Sequence, residues 1–189
     1  MKRLHSLLAL GLLLVSSGPA HAQHGETVPV RTVSQALDFW ITNTENLVVP
    51  AADAMPAEKY SFAPSAGEFT GVRTFAQQVK HLAANNYRMA AYILNQTPTA
   101  EQKSETGPDA VQSKAQIMDY VRGSFAALHR AVAAINEENM LAPLAASPSS
   151  GQTTRLQLAV DAVAHSSNHY GQMVEYLRMN GIVPPASRP

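Results

Sequence analysis

The sequence predicts an all-α domain, a four-helix bundle with two longer connections, and three observations carry that reading. Apolar residues recur at intervals of three and four over four long segments, helix-capping residues bound those segments, and no stretch alternates with period two for long enough to build a sheet. After Thr32, the positions Leu37, Trp40, Ile41, Leu47, Val48 and Ala51 mark one face of a first helix, with Trp40 as its expected core anchor. Pro50 lacks an amide hydrogen and crowds the preceding turn, so a kink or restart is expected there, before an end at about Met55-Pro56. Residues 57–73 carry Pro64, Gly67 and Gly71 and form a connection. Thr74-Phe75-Ala76-Gln77 has the form in which each end satisfies a free backbone amide of the other. Behind it Phe75, Val79, Leu82, Met89 and Ile93 define a second helix to about Asn95. A polar loop, 98–109, leads to a second such box at Ser113-Lys114-Ala115-Gln116 and to the clearest stripe of the chain, Ile117, Val121, Phe125, Leu128, Val132 and Ile135. Residues 138–151, with Pro143 and Pro148, connect to a fourth helix that starts near Thr154 and ends at Asn180. Gly181 is suited to the left-handed position after that helix, and Pro184 prevents a restart.

The chain has 189 residues, with 14 basic and 14 acidic side chains, which rules out a strong charge imbalance of the kind that flags nucleic-acid or acidic-polymer binding. It has no cysteine, which excludes disulfides, thiolate metal sites and a cysteine nucleophile. Any metal site must use His, Asp, Glu or water. Lys2 and Arg3, the apolar run from Leu7 to Val15, and Ala20-His21-Ala22 together read as a signal peptide cleaved after Ala22. The expected product is secreted or periplasmic. It has a loose lead-in at 23–31, one domain at 32–189, and no later stretch apolar enough to span a bilayer.

Four histidines remain in the expected domain: His81, His129, His165 and His169. His165 and His169 lie four apart in the fourth helix, about 40° apart around its axis, so both rings face the same way. They sit on the shoulder of the apolar stripe, and His81 repeats that placement on the second helix. Side chains that project inward from facing helices build metal sites in bundles, and neutral imidazoles suit Zn²⁺, Ni²⁺ or Fe²⁺. Three protein ligands would leave positions open for water or substrate. The spacing alone is equally compatible with a pair of rings facing solvent. His129 has no companion and reads as a boundary residue of the third helix.

Met55-Pro56-Ala57-Glu58-Lys59-Tyr60-Ser61-Phe62-Ala63-Pro64, Arg73-Thr74-Phe75 leading to His81-Leu82, His165-Ser166-Ser167-Asn168-His169-Tyr170-Gly171-Gln172, and Tyr176-Leu177-Arg178 with Gly181-Ile182-Val183-Pro184-Pro185 occur in order along the chain. In this the sequence resembles the DinB-like family. The resemblance implies an up-down-down-up four-helix bundle whose metal is held by one histidine of the second helix and a pair on the fourth, here His81, His165 and His169. It also implies metal-dependent hydrolase or thiol S-transferase chemistry. Tyr170 stands where the family often has Arg.

If a metal binds, the free ring nitrogens need partners, and Asn85 and Tyr92 on the second helix and Asp161, Asn168 and Gln172 on the fourth occupy the same shoulders. Asp161 is also explained by its favourable place near a helix N-terminus, and Gly171 and Gln172 by close helix packing. Tyr60 either lines the mouth of a cavity or plugs the end of the bundle. Met89, Met173 and Met179 read as core filler rather than copper ligands, and Ser166 and Ser167 lack the sharp turn of a nucleophilic serine. The expected cofactor is a divalent metal ion, the expected partner a small-molecule substrate or ligand, with a second copy of the chain as a further candidate. Two readings result: an exported metal-dependent hydrolase or thiol-type transferase, and a non-enzymatic, stress-associated module that binds metal or ligand.

Overall fold

A computed structural model describes residues 32–65, 71–144 and 154–189. The expected signal peptide and lead-in lie outside these residues, as does the end of the last connection. Four helices form: α1 Val33–Ala54, α2 Phe75–Ile93, α3 Lys114–Ala133 and α4 Arg155–Met179. Among the described residues there is no β-strand, only an isolated bridge between Pro143 and Thr154, and no helix is long and apolar enough to cross a membrane.

The helix ends follow local chemistry. Thr32, Ser113 and Thr154 accept from the third backbone amide of their helices, and Thr74 does the same for α2. The two boxes close in both directions, Thr74 with Gln77 and Ser113 with Gln116. Each such cap is worth about 1 kcal/mol. Gly181 takes φ 71° after α4, where its amide donates to the Arg178 carbonyl and that of Ile182 to Leu177. Asn95 plays the same part after α2 at φ 58°, with Gln96 donating to Ala91. Asparagine tolerates this region because its short polar side chain bonds locally. Pro50 does not restart α1, which runs through it. Pro50 and Asn46, whose carbonyl has no amide of residue 50 to accept from, are both exposed.

Contacts between named residues fix the helix directions. Arg155, at the start of α4, donates to the Ile93 carbonyl at the end of α2, and Tyr176, near the end of α4, donates to the Arg73 carbonyl just before α2. α2 and α4 are therefore antiparallel. Lys114 at the start of α3 meets Asp53 at the end of α1, and His129 near the end of α3 meets Asp38 and Glu45, so α1 and α3 are antiparallel too. α2 packs on α3 and α4, and α1 packs on the same two, which leaves α1 and α2 on one diagonal and α3 and α4 on the other. Tyr60, just after α1, touches both Phe75 at the start of α2 and Met118 near the start of α3, which makes those two helices parallel neighbours. The order is up-down-down-up. α1 and α2, and likewise α3 and α4, are consecutive helices at opposite corners, and residues 94–113, which join parallel neighbours, must climb back along the roughly 30 Å of α2.

The core runs the length of the bundle, with Ile41, Phe75, Leu82, Phe125, Leu128, Leu158, Met173 and Leu177 fully buried. Each such side chain contributes about 1.5–3 kcal/mol by leaving water. Tyr60 closes one end: it is buried on Phe75 and donates to the Ala52 carbonyl at 2.8 Å. Trp40 is not the core anchor of α1, being 58% exposed against Phe39 at the surface. The inward place one turn on belongs to Thr44, whose hydroxyl donates to the Trp40 carbonyl and so enters the core satisfied. Met89 and Met173 fill the core, whereas Met179 is half exposed.

Candidate metal centre

The antiparallel pairing of α2 with α4 puts His81 opposite the turn of α4 that carries His165 and His169. All three rings point Nε2 at one spot: His165 Nε2 lies 3.2 Å from His81 Nε2 and 3.1 Å from His169 Nε2. They lie within a few ångströms of one another and are the cluster of the described residues that could hold a metal ion. At metal–nitrogen bonds of about 2.0–2.1 Å, separations of this size subtend about 100°, between the octahedral and tetrahedral values.

The rings are neutral at physiological pH. Burial, then the neighbouring rings, then Arg88 and Arg73 push His165 down to about 3; burial, His81 and Arg73 push His169 down to about 4. His81 is lowered by burial and Arg73, with Glu105 opposing in part. Three neutral imidazoles that face one another by the same nitrogen stack lone pairs that their own protons cannot all satisfy. A cation at the centre relieves this, so the donor set fits a metal.

Two of the three outer nitrogens have partners, Glu105 and Gln78, that the sequence did not single out, and Gln172, which it did, acts through Gln78. Residues 94–113, in climbing back along α2, pass directly over His81, whose Nδ1 donates to the Glu105 carbonyl at 2.9 Å. That bond leaves the Nε2 lone pair of His81 free. Arg73 holds the same segment, donating through Nε to the Glu105 carbonyl and through Nη2 to its carboxylate at 2.8 Å. Gly107 lets it lie close: at φ 72°, a Cβ there would stand 2.5 Å from the Lys80 Cβ, while Lys80 Nζ donates to the Pro108 carbonyl.

His169 Nδ1 meets the fully buried Gln78 amide at 2.7 Å, and that amide also meets Gln172. Metal binding through Nε2 requires an acceptor at Nδ1, so the Gln78 amide then presents its oxygen to the ring and Gln172 donates to it; both amides turn together. His165 Nδ1 is buried with no partner among the described residues. Of the other residues marked on these shoulders, Asn85 bonds Arg88 rather than a ring, and Tyr92, Asp161 and Asn168 make no bond to the three histidines. Gln78 lies one turn before His81 on the same face of α2, a signal readable from spacing. The Glu105 carbonyl is a backbone group and leaves none.

Ser166 is structural: buried, it donates to Asn86, which donates to Ser124, tying α4, α2 and α3. Gly171 has open space where a Cβ would stand, so helix packing does not demand it. His129 is no bare boundary residue, since its two nitrogens bond Asp38 and Glu45 of α1. Among curated proteins, none matches the chain at a significant level. Residues 41–173, a stretch that begins within α1 and includes all three histidines, match the DinB superfamily, and the chain belongs to it.

Proposed function

We propose that His81, His165 and His169 hold one divalent ion (Zn²⁺, Ni²⁺ or Fe²⁺) and that the protein is an exported metal-dependent enzyme, a hydrolase or thiol-type transferase acting on a small molecule. The single observation that carries the metal reading is the convergence of the three rings, with His81 Nε2 and His169 Nε2 lying 3.2 and 3.1 Å from His165 Nε2. The basic start, apolar run and small-residue cleavage site at 1–22 support export.

When bound, such an ion supplies Lewis acidity, lowering the pKa of a coordinated water or thiol and polarising an electrophile. The protein's own groups do the rest. The Glu105 carbonyl orients His81, and the Gln78–Gln172 amide pair orients His169. Burial holds His165 down to about 3 and His169 to about 4 and lowers His81 as well, which disfavours competing protons at the ligand nitrogens. Three protein donors leave coordination positions for a ligand, the arrangement of a catalytic rather than a structural site.

The test is metal analysis of tag-free protein after equilibration with Zn²⁺, Ni²⁺ or Fe²⁺ and dialysis. About one ion per chain is expected for the wild type and almost none for His165→Ala; a wild type that retains no ion refutes the reading. Metal uptake without turnover of any ester, amide or thiol-conjugation substrate would favour the non-enzymatic module instead.

A further inference from the structure

The face of α2 that carries His81 continues through Asn85 and Arg88, four and seven residues on, which by helical geometry lie within about 40° of it around the axis. Asn85 is 2% exposed. Its oxygen accepts from Arg88 Nη2, yet its Nδ2 is buried without a partner, and Arg88 Nε is in the same condition. With His165 Nδ1, these are three of the four orphaned buried side-chain atoms among the described residues, the fourth being the Tyr120 hydroxyl. Every one of the three is a hydrogen-bond donor once His165 binds a metal through Nε2. No carboxylate among the described residues pairs with Arg88, whereas Arg73, on the other side of the site, is matched by Glu105. Arg88 is close enough to act electrostatically on His81 and His165.

A buried guanidinium nitrogen and a buried amide that lack acceptors cost free energy in the empty protein and lend it to any ligand that supplies them. We propose that Asn85 and Arg88 form an oxyanion subsite beside the three histidines, so that the ligand carries a carboxylate or phosphate group held by these donors while another of its atoms reaches the metal position. The ligand class follows from the chemistry: a positive charge and several N–H groups, whose one acceptor, Asn85 Oδ1, is already taken by Arg88, match a group that only accepts. Arg88 and Asn85 form the first anchor by themselves. The second anchor rests on the metal reading.

The experiment is calorimetric titration with acetate and, separately, inorganic phosphate, on both the chelator-treated and the metal-loaded full chain, read alongside the Co²⁺ absorption bands of the cobalt form. Binding of one of the two anions is expected in both forms, tighter in the loaded one, and the anion that binds names the source. Arg88→Gln should weaken it by about tenfold or more with metal content unchanged, and Arg88→Lys should restore part of it. Asn85→Asp, nearly isosteric, supplies Arg88 with an internal carboxylate; it should keep the melting temperature and abolish anion binding. Anion affinity that is equal in wild type, Arg88→Gln and Asn85→Asp, or no binding to either form, overturns the subsite. If no metal is retained but Arg88-dependent binding persists in the chelator-treated protein, the metal reading fails and the subsite stands.

Discussion

Two places in this bundle clamp imidazoles between helices, and their surroundings make opposite use of the same side chain. At the α2–α4 seam, His81 and His169 are buried and His165 half-buried, the charges of Arg73 and Arg88 act on the cluster, and all three rings sit below their ordinary pKa. At the α1–α3 seam, burial also lowers His129, but hydrogen bonds and charge from Asp38 and Glu45 outweigh it and raise the pKa. The first environment favours neutral donors with lone pairs to give, while the second favours the protonated form of a ring held between two carboxylates. A histidine in a helical stripe therefore says little by itself; the charges that the fold brings to it decide whether it is a ligand or a brace.

The largest expected effect is at the first seam. His169→Ala should remove metal retention and with it the thermal stabilisation that added Zn²⁺ gives the wild type, which at a thousandfold excess over Kd is about 4 kcal/mol. Differential scanning calorimetry with and without Zn²⁺ checks this, and His129→Ala should leave the Zn²⁺ shift in place. A shift that survives in His169→Ala would erase the contrast between the seams.

Next comes Gly107→Ala, which forces a left-handed residue against Lys80 and lifts the segment that bonds His81. A loss of about 1–3 kcal/mol of stability is expected, with metal affinity about tenfold lower because an outer partner of a ligand is displaced. A competition titration with a chelator reads the second quantity. Unchanged affinity would show that the Glu105 carbonyl does not position His81.

The two seams also differ in the sign of their pH dependence. For the metal-free cluster the folded pKa values lie below the unfolded one, so stability is complete above about pH 6.5 and falls as pH drops toward 4 and 3, by about 1.4 kcal/mol per pH unit for each proton taken up. For His129 the folded pKa lies above the unfolded one. Its contribution is full below about pH 6.5 and is lost as pH rises through the folded value. Urea unfolding of chelator-treated wild type and His129→Gln should show curves that diverge on the acid side and converge as pH rises past the folded pKa of His129. Divergence on the alkaline side would invert the assignment. Smallest of all, Glu45→Gln removes one of two flanking charges, on a partly exposed pair, and should cost about 0.5 kcal/mol or less near pH 6.

Much of this architecture is legible before folding because it rests on local rules. The boxes at Thr74–Gln77 and Ser113–Gln116 and the cap at Gly181 are set by neighbours along the chain, and they form where the sequence places them. Trp40 departs from its expected place because α1 offers apolar residues on more than one side, and a threonine whose hydroxyl bonds its own helix can displace a tryptophan from the core. The histidine triad can be assembled from helical spacing, with the pairing of α2 and α4 added by the family resemblance. Its supports cannot: Glu105 acts through a backbone oxygen on a crossing segment, and the pairing of Asp38 and Glu45 with His129 depends on which helices become neighbours. Tertiary contact alone creates those groups' roles.

X-ray absorption at the metal edge of the reconstituted wild type tests the centre most directly. A first shell with three imidazole nitrogens at about 2.0–2.1 Å, reduced to two in His81→Ala, is the expected result. A shell without imidazole scattering, or one that His81→Ala leaves unchanged, would contradict it.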